Sequence, residues 1–310
     1  MSLVSEPDLE DLKRQASEGR AAAQYALGKR LLVGNAAPFS PREGAAFVGQ
    51  AAKNGHGEAQ CLMAALAARA GKWDLAHNHL EQAAENGEPF ARAQLPMLAS
   101  FAPKEWVGAA ATDWRHSAPR IGVLEAFIPP EVCAWIIGRA APRLQRTRVN
   151  DPRDGVSRTL DHRSNSGAGF GILDTDVILE VVNARISAAV GVPANRQEPS
   201  NVLHYADGEE YRPHFDFINP APQFERELAT LGQRTTTFLI YLNDDFEGGE
   251  TDFPRLGWRF KGAAGDALLF WNVNDEGRPE PLTLHAGLAP TLGEKWLFSK
   301  WIRDRPAPLM

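Results

Sequence analysis

The stretch Tyr205–Phe217, YADGEEYRPHFDF, places His214 and Asp216 two positions apart. In an extended chain, residues i and i+2 point to the same face, so an imidazole and a carboxylate at this spacing can meet one ion. A second histidine, His285, follows 285 − 214 = 71 residues later, in LTLHAGLAPTLGEKW. Two imidazoles and one carboxylate on one side of a metal leave three positions open. Non-haem iron(II) uses this arrangement to take up a 2-oxo acid and dioxygen. The same donors also suit zinc, but a zinc hydrolase needs a nearby general base and has no use for a pocket lysine. The chain has 8 histidines, so a His-x-Asp pair arises easily by chance and its neighbours must decide the matter.

The first such neighbour is Lys295, ten residues after His285. Strand alternation in KWLFSKWI puts Lys295, Leu297, Ser299 and Trp301 on one face. A lysine entering a barrel interior is costly unless it meets an anion. The distal carboxylate of a dicarboxylic 2-oxo acid would be one. Lys300, on the opposite face, is read as a surface lysine.

These residues need strands to position them. From about residue 200 the chain reads as short β-branched and aromatic runs (SNVLHYA, TTTFLIYLN, ALLFW, KWLFSKWI) separated by turn signals such as Asp207-Gly208 and Gly248-Gly249. Such a series after a helical section predicts a sandwich or jelly-roll core buttressed by helices. One buttressing helix is expected from Pro130, with Val132, Trp135, Ile136 and Ala140 on one face. A second is expected over Asp174–Val190, capped by Asp174. Asn219–Gly232, between two core strands, reads as a mobile loop over the mouth.

The strings YADGEEYRPHFDF, RTTTFLIYLNDDFEGGETDFP, GDALLFWN and HAGLAPTLGEKWLFSKWIR follow one another in an order and spacing that resembles the prolyl 4-hydroxylase family of iron(II)- and 2-oxoglutarate-dependent oxygenases, over roughly residues 120–305. The resemblance implies a double-stranded β-helix with packing helices, and iron(II), 2-oxoglutarate and dioxygen as the working set, with ascorbate as an optional addition. It implies His214, Asp216 and His285 as iron ligands and Lys295 as the partner of the distal 2-oxoglutarate carboxylate. Tyr205, Tyr241 and Thr251 would line that pocket, and Arg234 and Trp301 would lie near a peptide substrate. Arg163, in HRSNS, matches an arginine ahead of the catalytic core. Read without the resemblance, Tyr205 and Tyr241 are core aromatics with hydroxyls bonded to the backbone, Arg234 is a strand-end charge, and Arg163 is as readily structural. Glu209 and Arg303 depart from the family pattern, standing where many animal members have glutamine and where some relatives have histidine.

The first hundred residues are of a different kind. QASEGRAAAQYALG from Gln15, QAAKNGHGEAQCLMA from Gln50 and QAAENGEPFARAQL from Gln82 repeat a theme of small residues, a glycine and an alanine-rich stretch. The glycines Gly19, Gly55 and Gly87 are 36 and 32 residues apart. A period in this range marks a solenoid of helix pairs, each needing neighbours to cover its apolar face. The pattern resembles Sel1-like repeats, relatives of the tetratricopeptide repeat. The expected organisation is therefore α+β, with a helical-repeat domain over 1–100, a linker over 101–119 and an oxygenase domain over 120–310.

Composition excludes several other classes. A net charge of −6 supplies no basic field for nucleic acid. No apolar run approaches the length of a membrane span. Two cysteines, Cys61 and Cys133, make no disulfide framework, and the acidic N-terminal segment does not read as a secretion signal. Together these point to a reducing, cytoplasmic compartment. The partner expected is a peptide or protein substrate, docked by the repeats. The alternatives are a non-catalytic scaffold built on the solenoid and a hydroxylase of a free amino acid.

Overall fold

The computed structural model describes residues 8–100, 103–108, 110–146, 149–150, 157–158 and 163–306. The start of the N-terminal segment read above as lacking a secretion signal, residues 1–7, lies outside them. The chain divides into two compact units. Over the described residues, one comprises the chain up to 108 together with Gly171–Arg185, and the other comprises the chain from 110 to 170 and from 186 to 306.

Among the described residues the first unit opens with six consecutive helices: Leu9–Ser17, Ala21–Val33, Pro41–Lys53, Gly57–Arg69, Trp73–Glu85 and Pro89–Ser100. Gly19, Gly55 and Gly87 sit in the turns at φ of 84°, 80° and 90°, the left-handed region that glycine enters without strain. Between the second and third helices, Gly28 and Gly44 face each other. A Cβ on Gly44 would stand 2.7 Å from the Gly28 carbonyl oxygen and 2.7 Å from the Leu32 nitrogen. Gly44→Ala is therefore expected to destabilise the helical unit by about 1–3 kcal/mol, the usual range for overpacking. The check is a lower denaturant midpoint followed by far-ultraviolet circular dichroism.

A buried polar ladder accompanies the repeats. Gln24 donates to the Ala16 carbonyl and accepts from Asn54 Nδ2 at 2.9 Å, and Gln60 donates to the Ala52 carbonyl and accepts from Asn86 Nδ2 at 3.0 Å. At the third position, Gln94 accepts instead from the Val177 backbone N–H at 3.0 Å. Val177 opens the helix Val177–Val190, so the start of this helix stands where the next repeat's asparagine would be. This explains why Gly171–Arg185 groups with the repeats, which sequence reading had placed wholly in the later domain. The cap of this helix is Asp176, whose carboxylate accepts from the Leu179 N–H at 2.8 Å, and not the expected Asp174.

Among the described residues the second unit has two larger antiparallel sheets and two two-stranded ones. The eight-stranded sheet runs in the order Asp113–Ser117, Arg120–Leu124, Ala267–Trp271, Arg234–Tyr241, Lys295–Arg303, Ser200–Tyr205, Ser166–Phe170, Gln145–Arg146. The four-stranded sheet runs Trp258–Phe260, Thr251–Phe253, His285–Gly287, Tyr211–His214. A core that includes Leu203, Tyr205, Leu239, Tyr241, Phe253, Phe270 and Leu297 draws on both sheets. This is the jelly-roll expected, with the helix Pro130–Ala140 as one buttress. The expected linker contributes a short helix, Pro103–Trp106, and the edge strand Asp113–Ser117. Asn219–Gly232 is not an open loop, since it holds a 3₁₀ turn and the helix Glu225–Leu231. Its ends are clamped by Gln233, whose side chain accepts from the Ile218 N–H at 2.7 Å and donates to the Ile218 carbonyl at 2.8 Å. Among the described residues, no helix is long and apolar enough to cross a membrane.

Candidate active site

His214 closes one strand of the smaller sheet, His285 opens its neighbour, and the two are register partners. Asp216 follows two residues after His214. The outcome is one cluster, with ligand atoms of all three residues within 4.8 Å of one another. His214 Nε2 is 3.6 Å from Asp216 Oδ1, and His285 Nε2 is 3.5 Å from Asp216 Oδ2. Each histidine turns its Nδ1 to the carbonyl two residues earlier, His214 to Arg212 at 2.9 Å and His285 to Thr283 at 3.0 Å. A proton held on Nδ1 leaves the Nε2 lone pair facing the cluster, as a metal ligand requires. Burial, reinforced by His285, pushes the His214 pKa down to about 3, so its ring is neutral at working pH. Burial pushes the Asp216 carboxyl upward, but His285, His214, the Thr237 hydroxyl and the Trp301 indole outweigh it and hold the group below its usual range. Two imidazoles with Nε2 turned to the cluster and a carboxylate form a donor set that fits a ferrous ion.

The cluster opens into a cavity of about 340 Å³, whose walls include Tyr205, Leu239, Thr251, Leu297 and Trp301. Lys295 is fully buried, at 0% exposure. Its Nζ lies 5.1 Å and 5.2 Å from the centres of the Tyr205 and Tyr241 rings and donates to the Gly249 carbonyl at 2.7 Å. Burial lowers its pKa to about 7, against a weaker opposing pull from Glu250. An ammonium desolvated between two aromatic rings, with a carbonyl as its hydrogen-bond acceptor, is suited to receive a carboxylate. The Tyr241 hydroxyl accepts from the Thr251 N–H at 3.2 Å, lies 2.9 Å from Thr251 Oγ1 and donates to the Phe260 carbonyl at 2.8 Å. It braces the pocket from behind, whereas Tyr205 and Thr251 form its wall.

The structure does not bring Arg234 to the cavity. Its guanidinium is paired with both oxygens of Glu198, at 2.7 and 3.0 Å, and stacks on Trp301 at 3.7 Å. The same Glu198 receives Arg303 at 2.7 Å, and Arg303 also pairs with Glu227 at 2.6 Å in the helix Glu225–Leu231. Burial works against the Glu198 charge, but the two arginines prevail and hold its pKa below the ordinary range. Lys300 is 3% exposed and donates to the Glu198 carbonyl and to Ser200 Oγ, correcting its reading as a surface lysine. Arg163 lines the cavity, with its guanidinium 4.3 Å over the Tyr211 ring. Tyr211 in turn stacks on His214 at 3.5 Å. Sequence reasoning missed Tyr211, Thr237, Asn272 and Glu198. The available signals were polar side chains inside the apolar runs RTTTFLIY and ALLFWN.

Fold and site together define a non-haem iron oxygenase with a buried cation for a dicarboxylic co-substrate. Comparison with known proteins makes the class specific. The 2OG-Fe(II) oxygenase superfamily matches residues 200–303. Prolyl 4-hydroxylase 1 of Arabidopsis thaliana is 35% identical over 202 residues, covering 61% of this chain and 70% of that protein. The chain belongs to the prolyl 4-hydroxylase family of 2-oxoglutarate- and iron(II)-dependent dioxygenases. Among solved structures, the viral collagen prolyl hydroxylase of Paramecium Bursaria Chlorella virus-1 is 22% identical with a TM-score of 0.46, covering 60% of this chain and 96% of that one. A Sel1 repeat protein from Oxalobacter formigenes is 31% identical with a TM-score of 0.28, covering 29% of this chain and 71% of that one.

Proposed function

We propose that this dioxygenase hydroxylates a prolyl residue in a peptide or protein, with 2-oxoglutarate converted to succinate and carbon dioxide. The observation that carries the reading is the pairing of the His214–Asp216–His285 cluster, in a cavity walled by Tyr205 and Thr251, with the buried Lys295 ammonium beside the Tyr205 ring. Iron(II) with 2-oxoglutarate and dioxygen supplies the oxidising power, placing one oxygen atom in an unactivated C–H bond and the other in succinate. The protein's part is placement. His214, Asp216 and His285 would hold the metal through Nε2, a carboxylate oxygen and Nε2. Lys295 would hold the far carboxylate of the co-substrate in a charge-assisted bond. Leu203, Leu239 and Leu297 keep water from the inner wall. Trp301, with Arg234 stacked behind it, and Arg163, above Tyr211, are the side chains read as facing the substrate.

The helical repeats are read as a docking module for that peptide or protein, since solenoids present extended binding surfaces. Ascorbate is read as an auxiliary reductant, and a cytoplasmic location suits the two buried, free cysteines Cys61 and Cys133. The test is peptide mass spectrometry on a host with and without the gene, paired with succinate release by the purified protein. Gain of one oxygen on proline is the expected result. Succinate release without any modified proline removes the prolyl assignment and leaves the oxygenase class standing.

A further inference from the structure

Behind Asp216 runs a two-step hydrogen-bond chain that reaches no solvent. Thr237 Oγ1 donates to Asp216 Oδ2 at 2.7 Å, and Asn272 Nδ2 donates to Thr237 Oγ1 at 2.9 Å. Thr237 and Asn272 are each 0% exposed, and Asp216 is 5% exposed. Chemistry fixes the direction of the chain. An ionised carboxylate only accepts, so the hydroxyl proton must lie on the Asp216 side, and the threonine oxygen must then receive a proton from the amide NH₂. The amide is held in place by its own backbone, since the Asn272 N–H donates to the Thr235 carbonyl and its carbonyl accepts from the Glu280 N–H. In this orientation Asn272 Oδ1 is buried with no hydrogen-bond partner. Flipping the amide would set its oxygen against Thr237 Oγ1 and leave the hydroxyl torn between two acceptors. The buried, unpartnered oxygen is what accompanies an NH₂ kept on Thr237.

We infer that Asn272 and Thr237 are positioning residues that lock the Asp216 carboxylate in one rotation and tie up its Oδ2, so that Asp216 acts as a one-oxygen metal ligand. A carboxylate free to rotate would present both oxygens and close a position that the co-substrate needs. Partners of this outer kind typically change metal affinity 10- to 100-fold, by about that order. The inference rests on the metal-binding reading of the triad, so the test begins with wild-type protein.

The metal-free full chain is titrated with cobalt(II), without 2-oxoglutarate, and both the dissociation constant and the intensity of the visible ligand-field bands are recorded. Thr237→Val, which keeps shape and removes the hydroxyl, is expected to bind cobalt roughly 10- to 100-fold more weakly with altered band intensity. Thr237→Ser, which restores the hydroxyl, is expected to restore both. A folded Thr237→Val protein with wild-type affinity and spectrum overturns the inference. If Thr237→Val does not fold, Asn272→Ser takes its place, and wild-type behaviour there overturns it equally. Failure of wild-type protein to bind cobalt strikes instead at the metal site itself.

Discussion

Asp216→Ala protein is expected to release succinate from 2-oxoglutarate at a rate reduced by more than ~100-fold, beyond the loss that removing an outer partner of a ligand brings. Asp216 is the sole negative ligand of the cluster, and among the described residues no other group of metal-ligating side chains can replace it. Two imidazoles alone hold a ferrous ion far less well than two imidazoles and a carboxylate. The fold should survive, because the substitution removes a buried, desolvated carboxylate whose neighbours are the rings of His214 and His285 and the Thr237 hydroxyl. The metal-free variant is therefore expected to unfold at or near the wild-type temperature, and the stabilisation that wild type gains on adding iron(II) or a redox-inert substitute should vanish. A variant that still gains stability from metal and still releases succinate would contradict the site.

Lys295→Met acts on the buried ammonium beside the Tyr205 and Tyr241 rings. Removing one partner of a buried, charge-assisted contact costs about 2–5 kcal/mol, or roughly 30- to several-thousand-fold in affinity. The KM for 2-oxoglutarate is expected to rise on that scale, with iron affinity unchanged. The effect on stability runs the other way. The lysine pKa falls from 10.5 to about 7 on folding, so between these values the unfolded chain binds more protons than the folded one. Stability of the metal-free protein therefore rises with pH across this window, and the cost of burying the ammonium is fully present only below pH about 7. Lys295→Met should flatten that rise and leave the protein at least as stable as wild type at neutral pH. Denaturant midpoints at a series of pH values, with and without 2-oxoglutarate, decide both points. Saturating co-substrate should suppress the pH dependence in wild type and leave the variant unaffected.

What could be read from the chain alone, and what could not, follows from the range of the interactions concerned. The His214–Asp216 pair is local, and strand geometry alone puts it on one face. Lys295, Leu297, Ser299 and Trp301 followed from the same alternation. Alternation does not say what covers the opposite face, and there the reading of Lys300 went astray. Its strand is buried on both sides, and its ammonium is taken up by the Glu198 carbonyl and Ser200. Glu198 illustrates the limit. It pairs with Arg234 and Arg303, 36 and 105 residues away, and no local pattern announces such an arrangement. The same network explains the ordered segment over Asn219–Gly232. The Arg303–Glu227 pair and the Gln233 clamp hold it, whereas its composition alone read as a loop. The repeats were legible from their glycines, but the Gln–Asn ladder inside them was not, because a glutamine among alanines reads as a solvated position until its neighbours are known.

That ladder bears on how the gene could be divided. Its last rung is completed by Val177, from a stretch lying between two parts of the oxygenase. A single cut after the sixth helix would take the repeats away from the segment that terminates them, leaving the Gln94 amide oxygen bare. The same cut would leave the remaining enzyme with a helix half deprived of cover. The two units thus alternate along the chain, and exchange of either for a homologous piece requires three joins, at 108/109, 170/171 and 185/186, not one.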